Sequence, residues 1–140
     1  MTDQPIADGV YKVKGPGGLL TMSDGLPGVA MLAPEGGAAQ LWTVASESDG
    51  YTLHNASSQR YLGGDGDPNA PQMIVRGTEQ PFTWNLSTGE DHDETTYVLT
   101  SAASSDGLVL SMSLLRIFPP LVAILPPATY RTVEWAFDPV

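Results

Sequence analysis

Apolar and polar side chains alternate in short runs along the chain, with the two-residue period of β-strands. No stretch carries an apolar stripe at the 3.6-residue spacing of a helix. The runs are separated by turn residues, and the chain contains 15 glycines and 12 prolines. Because glycine and proline interrupt regular structure, the pattern predicts an all-β protein of short strands joined by tight turns.

Three tryptophans mark three similar segments. Each begins a strand-like run that has an apolar residue two positions later, and each follows an earlier run that is opened by a tyrosine. The tyrosine and tryptophan pairs are Tyr11 and Trp42, Tyr51 and Trp84, and Tyr97 and Trp135. Internal repetition of this kind predicts three copies of one unit, here with approximate boundaries 9–49, 50–92 and 93–140.

Two further apolar runs lie between the tyrosine and the tryptophan of every copy. In the second copy they are Arg60-Tyr61-Leu62 and Met73-Ile74-Val75. Each copy is therefore expected to hold four strands, and the chain twelve. Propeller blades also have four strands, but propellers typically contain at least four blades. Three units suit a closed barrel capped by three hairpins, with the tyrosine and tryptophan rings in its core.

Length and charge narrow the class of protein. A chain of 140 residues with 41% hydrophobic residues can bury roughly two thirds of its unfolded surface, which predicts one domain. The chain has no cysteine, so neither disulfides nor thiolate metal sites contribute to its stability. Its net charge of −10 repels phosphate backbones, and nucleic acid is therefore not expected as a partner.

The N-terminal residues Met1-Thr2-Asp3-Gln4-Pro5 lack the basic residues and the apolar segment of a signal peptide. We therefore expect a cytoplasmic protein, or one exported without a conventional signal. The most apolar stretch, residues 114–128, is interrupted by Arg116 and four prolines, so no membrane insertion is expected. The sequence leaves the oligomeric state open.

The two histidines offer little for catalysis or metal binding. His54 lies in a predicted turn, and His92 lies in an acidic run between the second and third copies. Neither shows the nucleophile and base pattern of an enzyme. The loop Asp65-Gly66-Asp67-Pro68-Asn69 superficially resembles a calcium loop, but Ala70 and Arg76 replace the required glycine and glutamate. We predict a protein without catalytic residues, metal or cofactor.

Three segments carry a resemblance to a known group of proteins: Gly9-Val10-Tyr11, Gln40-Leu41-Trp42 and Val133-Glu134-Trp135-Ala136-Phe137. They look like small fungal β-trefoils, which include ricin-B-like mushroom lectins, the lectin-like light subunit of mushroom tyrosinase and trefoil protease inhibitors. The resemblance covers nearly the whole chain and implies a β-trefoil of twelve strands in three pseudo-repeats. One fold hosts several functions, so the resemblance specifies the fold better than the ligand.

The first functional hypothesis is lectin-like glycan binding. The resemblance implies a shallow site in each copy, where a carboxylate and an amide hold sugar hydroxyls and an aromatic ring stacks on the sugar. The Gln-x-Trp pattern of ricin-type repeats occurs once, at Gln40, which belongs either to a site or to the supporting structure. The candidate sugar-binding residues are Asp24, Gln40, Asp65, Asp67 and Asn69, with Tyr61 and Tyr130 as candidates for stacking. Docking of a protein partner on the same surface is an alternative.

The second hypothesis is serine protease inhibition through residues 113–120. Such inhibition needs a rigid, extended loop that enters the protease cleft like a substrate. Arg116 would be the specificity residue, with Leu115 and Ile117 beside it, and the prolines of the loop would stiffen it. If the apolar side chains of this loop are exposed, they would also suit a protein partner or self-association. Glycan binding is the preferred hypothesis, and exposure of the loop decides whether the others stand.

Overall fold

The computed structural model describes residues 6–23, 25–64, 67, 69–89, 95–116, 118–127 and 133–140. These residues form ten β-strands and a short 3₁₀ turn at Ala38–Gln40. The strands are β1 (Gly9–Gly15), β2 (Gly18–Thr21), β3 (Ala30–Leu32), β4 (Trp42–Glu47), β5 (Gly50–Asn55), β6 (Trp84–Thr88), β7 (Tyr97–Ser101), β8 (Val109–Met112), β9 (Val122–Leu125) and β10 (Ala136–Pro139). Within the described ranges no helix is long and apolar enough to cross a membrane. The all-β prediction is confirmed.

Six strands close into a barrel. Around it, β1 is followed by β4, β5, β6 and β7, and each neighbouring pair is antiparallel. The circle is completed by the segment of β10, which pairs with β1 and meets β7 at a bridge between Tyr97 and Trp135. In the other two copies the tyrosine also lies opposite the tryptophan: Tyr11 faces Trp42, and Tyr51 faces Trp84. The repeated pair therefore marks where two barrel strands meet in every copy.

The same rings fill the core, as predicted. All three tryptophans are fully buried, and the three tyrosines are only 6–7% exposed. A buried indole N–H needs a hydrogen-bond acceptor, and here each copy supplies one from its second apolar run. Nε1 of each tryptophan donates to a leucine carbonyl: Trp42 to Leu20 at 3.1 Å, Trp84 to Leu62 at 2.8 Å and Trp135 to Leu110 at 3.2 Å.

One segment from each copy caps the barrel. In the first and third copies it is a hairpin, made by β2 with β3 and by β8 with β9. Backbone hydrogen bonds join the three caps: the N–H of Val29 donates to Val75 at 2.7 Å, that of Val122 to Val29 at 3.0 Å, and that of Ile124 to Gln72 at 2.8 Å. A six-stranded barrel with three mutually bonded caps is the predicted β-trefoil architecture.

The second copy corrects the predicted strand count. Its two middle runs, residues 60–62 and 73–75, do not form strands, and the described residues contain ten strands where twelve were predicted. Tyr61 instead makes single bridges to His54 and Thr78. The first run is followed at once by two glycines, which weaken a strand. In the second run the carbonyl of Val75 accepts the N–H of Val29 from a neighbouring cap, so this run contributes to the packing of the caps instead of a hairpin with the first run.

Candidate functional site

Gln40, a candidate sugar ligand, lies inside the protein and is 1% exposed. Its side-chain nitrogen donates to Thr21 Oγ1 at 3.1 Å and to the carbonyl of Ala33 at 2.9 Å. Its side-chain oxygen accepts a hydrogen bond from the backbone N–H of Glu35 at 2.8 Å. Both amide hydrogens are therefore used within the protein. The structure favours the second interpretation of Gln40, as a support that ties the chain before β4 to β2.

The acidic loop of the second copy is only partly described, because Asp65 lies outside the described residues, as does Asp24 of the first copy. Asp67 and Asn69 are exposed and share a turn in which the Asp67 carboxylate accepts the N–H of Asn69 at 2.9 Å. The amide oxygen of Asn69 accepts the N–H of Ser105 at 2.8 Å and its hydroxyl at 3.0 Å. These bonds attach the loop to the third copy and leave the Asn69 amide hydrogens without a described acceptor.

The two aromatic residues expected to stack on a sugar are Tyr61 and Tyr130. Tyr130 lies outside the described residues. Tyr61 is half-buried, and its ring packs edge-on against His54 with the two ring centroids 4.7 Å apart. One part of the Tyr61 ring is therefore covered by the imidazole, which leaves it a smaller stacking surface than a free loop tyrosine.

A cavity of about 430 Å³ opens in the second copy. Arg60, Gly64 and residues 77–82 line it. Small-molecule sites in proteins usually begin at about 300 Å³, so this cavity, which we call the second-copy cavity, is large enough for a sugar ring.

The chemistry of this cavity matches what the lectin hypothesis requires. Glu79 supplies a carboxylate and Gln80 an amide, and both residues are exposed, while the ring of Phe82 is half-buried. The hydroxyl of Thr78 donates to the Gln80 carbonyl at 2.6 Å and fixes the turn that carries Glu79. The ring of Phe82 packs against Trp84 with centroids 5.0 Å apart, so its position is set by the core.

No sequence motif predicted Glu79, Gln80 or Phe82 as site residues, although the position of Phe82 before Trp84 indicated a difference between the copies. Phe82 stands two residues before Trp84, at the position that Gln40 has before Trp42. Where the first copy buries a hydrogen-bonding amide, the second copy places an aromatic ring at the edge of a cavity. A side chain at Gly63 would overlap this ring, so the glycine leaves room for Phe82 to pack there.

A smaller cavity of about 320 Å³ lies between the first and second copies, and we call it the inter-copy cavity. Residues 22–23 and 26–28 line it from the first copy, and Ser58, Arg60 and Arg76 line it from the second. Arg60 therefore lines both cavities. No acidic residue belongs to the described lining of the inter-copy cavity.

The predicted inhibitory loop is exposed where it is described. Its exposed side chains are Leu114 (46%), Leu115 (43%), Arg116 and Phe118 (92%). Ile117 lies outside the described residues. The N–H of Ser113 donates to the carbonyl of Leu121 at 2.8 Å, and the Ser113 hydroxyl accepts the N–H of Leu115 at 3.2 Å. The base of the loop is thus held by hydrogen bonds while its apolar side chains face solvent.

Among the described residues, no group of three or more His, Asp or Glu side chains could hold a metal ion. His92 and its acidic neighbours lie outside the described residues. Away from both cavities, burial raises the pKa of the Tyr51 phenol above its usual value, although its hydroxyl donates to the Ile6 carbonyl at 3.2 Å.

Several solved structures of similar fold carry the name of a lectin or an agglutinin. The ricin B-like lectin of Macrolepiota procera, in complex with lactose, has a TM-score of 0.73 and 21% identity over 99% of this chain and 100% of that chain. The Rhizoctonia solani agglutinin has a TM-score of 0.72 and 19% identity over 99% and 100% of the two chains. A Polyporus squamosus lectin, bound to a human-type influenza-binding epitope, has a TM-score of 0.68 and 19% identity over 96% of this chain and 50% of that chain. These similarities show the β-trefoil fold.

The family is shown by sequence. No curated protein is similar enough to the chain to count as a match. Residues 38–113, more than half of the chain, match the family model described as ricin-type beta-trefoil lectin domain-like. With a barrel, three caps and a buried Tyr/Trp pair in every copy, the chain belongs to the family of ricin-type β-trefoil lectin domain-like proteins.

Proposed function

We propose that this protein is a non-catalytic lectin, and that its principal glycan site is the second-copy cavity. The observation that carries the proposal is the convergence of a carboxylate, an amide and an aromatic ring in one cavity of about 430 Å³, from Glu79, Gln80 and Phe82. The family and the lectins of similar fold support glycan binding in general.

Each of these groups has a distinct role in holding a sugar. The Phe82 ring offers an apolar surface for the C–H face of a sugar, and its packing on Trp84 means that little freedom is lost on binding. The Glu79 carboxylate accepts hydrogen bonds from sugar hydroxyls, and such charge-assisted bonds are stronger than neutral ones. The Gln80 amide both donates and accepts, and Arg60, which lines the same cavity, donates.

The loop residues Asp24, Asp65, Asp67 and Asn69 remain candidates for further sugar contacts. Asn69 has amide hydrogens without a described acceptor, and the Asp67 carboxylate is exposed. Neither residue lines the second-copy cavity. They would therefore serve a second sugar unit or a separate weak site, and they are tested beside the main site.

The proposal is tested by glycan-array binding, followed by calorimetric titration of the best sugar. Glu79→Gln removes the charge but keeps the shape, and we expect it to weaken binding about tenfold or more, since bonds to charged groups contribute about 1.5–3 kcal/mol. Gln80→Ala should weaken binding by a smaller factor. Glu35→Gln, a change in an exposed acid of the first copy, should leave the affinity unchanged.

Two results would contradict the proposal. If the wild type binds no glycan on the array, the protein is not a lectin for the sugars displayed. If it binds a glycan that Asp67→Asn and Asn69→Ala release while Glu79→Gln retains it, the site lies in the acidic loop and not in the second-copy cavity.

A second candidate function is serine protease inhibition through residues 113–120. The exposure of Leu115, Arg116 and Phe118 on a hydrogen-bonded base favours it, while the family and the similar folds give it no support. Stoichiometric inhibition of trypsin that Arg116→Ala abolishes would establish it. A panel of serine proteases that all keep full activity with excess protein would remove it.

A further inference from the structure

Two of the chain's six basic side chains meet at the inter-copy cavity, although the protein has 16 acidic side chains and a net charge of −10. Arg60 and Arg76 both line this cavity, and its described lining contains no carboxylate. Both arginines are exposed, so two solvated positive charges line one cavity. An anion bound there could pair with both of them, which makes the cavity suited to an anionic ligand.

The cavity is part of the packing between two copies. Gly28 lies so close to the second copy that an added Cβ would stand 2.6 Å from Cγ2 of Ile74. Gly77 has a φ of +85°, and a Cβ there would stand 2.8 Å from Cε of Met22 and 3.3 Å from Cβ of Arg60. Two glycines thus allow the loop of the first copy and the arginine-bearing segments of the second to approach each other.

The other residues that line the inter-copy cavity are suited to a sugar, and the arginines are suited to an anionic group on that sugar. Guanidinium groups pair with planar carboxylates and with sulfates through two parallel hydrogen bonds. Ser23 and Ser58 add hydroxyls to the lining, and Leu26 and Pro27 add apolar surface. A volume of about 320 Å³ lies at the lower end of the range for small-molecule sites, which is enough for one sugar unit.

We infer that the inter-copy cavity binds the anionic unit of an acidic saccharide, by pairing Arg60 and Arg76 with its carboxylate or sulfate. The inference rests on the proposed function, because Arg60 also lines the second-copy cavity. A neutral sugar in the second-copy cavity and an adjoining acidic sugar in the inter-copy cavity would then both contact Arg60. The protein would prefer acidic glycans over neutral ones of the same length.

The net charge limits the ligand to one with few anionic groups. Charge interactions are screened over about 8 Å at physiological ionic strength, so a single carboxylate at the arginines is attracted locally. A polyanion such as nucleic acid would extend beyond this distance over a surface with a net charge of −10 and would be repelled. Acidic saccharides with one charge are therefore favoured over nucleic acids.

The test compares a neutral oligosaccharide that the wild type binds with two derivatives of it, one carrying a carboxylate and one a sulfate on the adjoining unit. We expect at least one derivative to bind about tenfold more tightly, with a gain that decreases as salt is added. The derivative that shows the gain identifies the anion.

Substitutions of single arginines test whether the inter-copy cavity gives the preference for acidic sugars. Arg76→Gln should abolish the gain and leave the affinity for the neutral sugar unchanged, because Arg76 lines only the inter-copy cavity. Arg76→Lys keeps the charge but loses the paired geometry, and should retain part of the gain. Arg116→Gln makes the same charge change on the exposed loop of the third copy and should retain all of it. Thermal unfolding of each variant checks that it is folded.

The outcomes separate the two proposals. If the wild type binds the neutral sugar but gains nothing from either anion, or if Arg76→Gln keeps the gain, the inference is overturned while the lectin proposal stands. If the acidic sugars bind and Arg76→Gln releases them, but Glu79→Gln changes nothing, the inter-copy cavity is supported and the proposed site in the second-copy cavity fails.

Discussion

The indole Nε1 of Trp84 donates a 2.8 Å hydrogen bond to the backbone carbonyl of Leu62. Leu62 lies between Arg60 and Gly64, which line the second-copy cavity, and Trp84 lies two residues after Phe82, which also lines it. A bond between two fully buried residues therefore ties together the two chain segments that form the cavity. The element that repeats in the core of every copy also shapes the surface on which we expect the sugar.

We predict that Trp84→Phe lowers both stability and glycan affinity. The substitution keeps an aromatic ring but leaves the buried Leu62 carbonyl without its donor, which costs about 1–3 kcal/mol. Trp84→Ala should cost more, about 3–5 kcal/mol, because it also leaves a cavity. Urea unfolding measures the loss of stability in both variants. Phe118→Ala, at a ring that is 92% exposed, should stay within about 0.5 kcal/mol of the wild type. A wild-type unfolding midpoint for Trp84→Phe would contradict the role assigned to this bond.

We predict that Gly28→Ala destabilises the protein, whereas Gly25→Ala in the same loop does not. The added methyl group at position 28 would stand 2.6 Å from Ile74 and 3.0 Å from the carbonyl oxygen of Val75, and overpacking of this kind costs about 1–3 kcal/mol. At Gly25 an added Cβ meets nothing within 4 Å. Thermal unfolding compares the two variants. Equal stability would show that the two copies are not in close contact at Gly28.

The barrel was predictable because each copy uses the same contact. Tyr51 lies opposite Trp84 as Tyr11 lies opposite Trp42, because a large ring lies at or near the start of each of the two strands that meet in every copy. Where the copies differ, the structure has fewer strands than the twelve predicted, ten in the described residues. The run at residues 60–62 has apolar residues but makes bridges only at Tyr61, because its backbone hydrogen bonds go to residues 53–55 and to Thr78, and no local pattern records those partners.

The candidate site was less predictable, since its lining comes from two separate segments of the second copy. Arg60 and Glu79 line one cavity, yet neither lies in a motif that indicates sugar binding. Gln40, which does lie in such a motif, is buried. A Gln-x-Trp pattern specifies how a loop is attached to the barrel, and the surface chemistry depends on which side chains the attached loops then bring together.

We predict that Gln40→Ala lowers stability without changing the affinity for a glycan. The substitution removes the hydrogen bonds between the Gln40 side chain and the N–H of Glu35, the carbonyl of Ala33 and the hydroxyl of Thr21, and each such bond contributes about 0.5–1.5 kcal/mol. Chemical unfolding gives the loss, and titration with the best array sugar gives the affinity. The affinity is measured well below the unfolding temperature, where the variant is folded. A folded Gln40→Ala protein with tenfold weaker binding would return Gln40 to the sugar site.

We predict that stability falls at alkaline pH, in part because of Tyr51. Burial raises the pKa of its phenol above the ordinary value of 10.0, so the folded state holds this proton more tightly than the unfolded chain does. The contribution is fully present below pH 10 and is lost as the pH rises through the folded-state pKa. Tyr51→Phe removes this dependence, although it also loses the hydrogen bond to Ile6, at about 1 kcal/mol.

Urea unfolding between pH 7 and pH 11 measures the two slopes, and phenolate absorbance follows the titration directly. Because the lost hydrogen bond lowers the variant's stability equally at every pH below 10, only the slope above it reports the phenol. Parallel curves for Tyr51→Phe and the wild type would show that Tyr51 does not contribute to the alkaline loss.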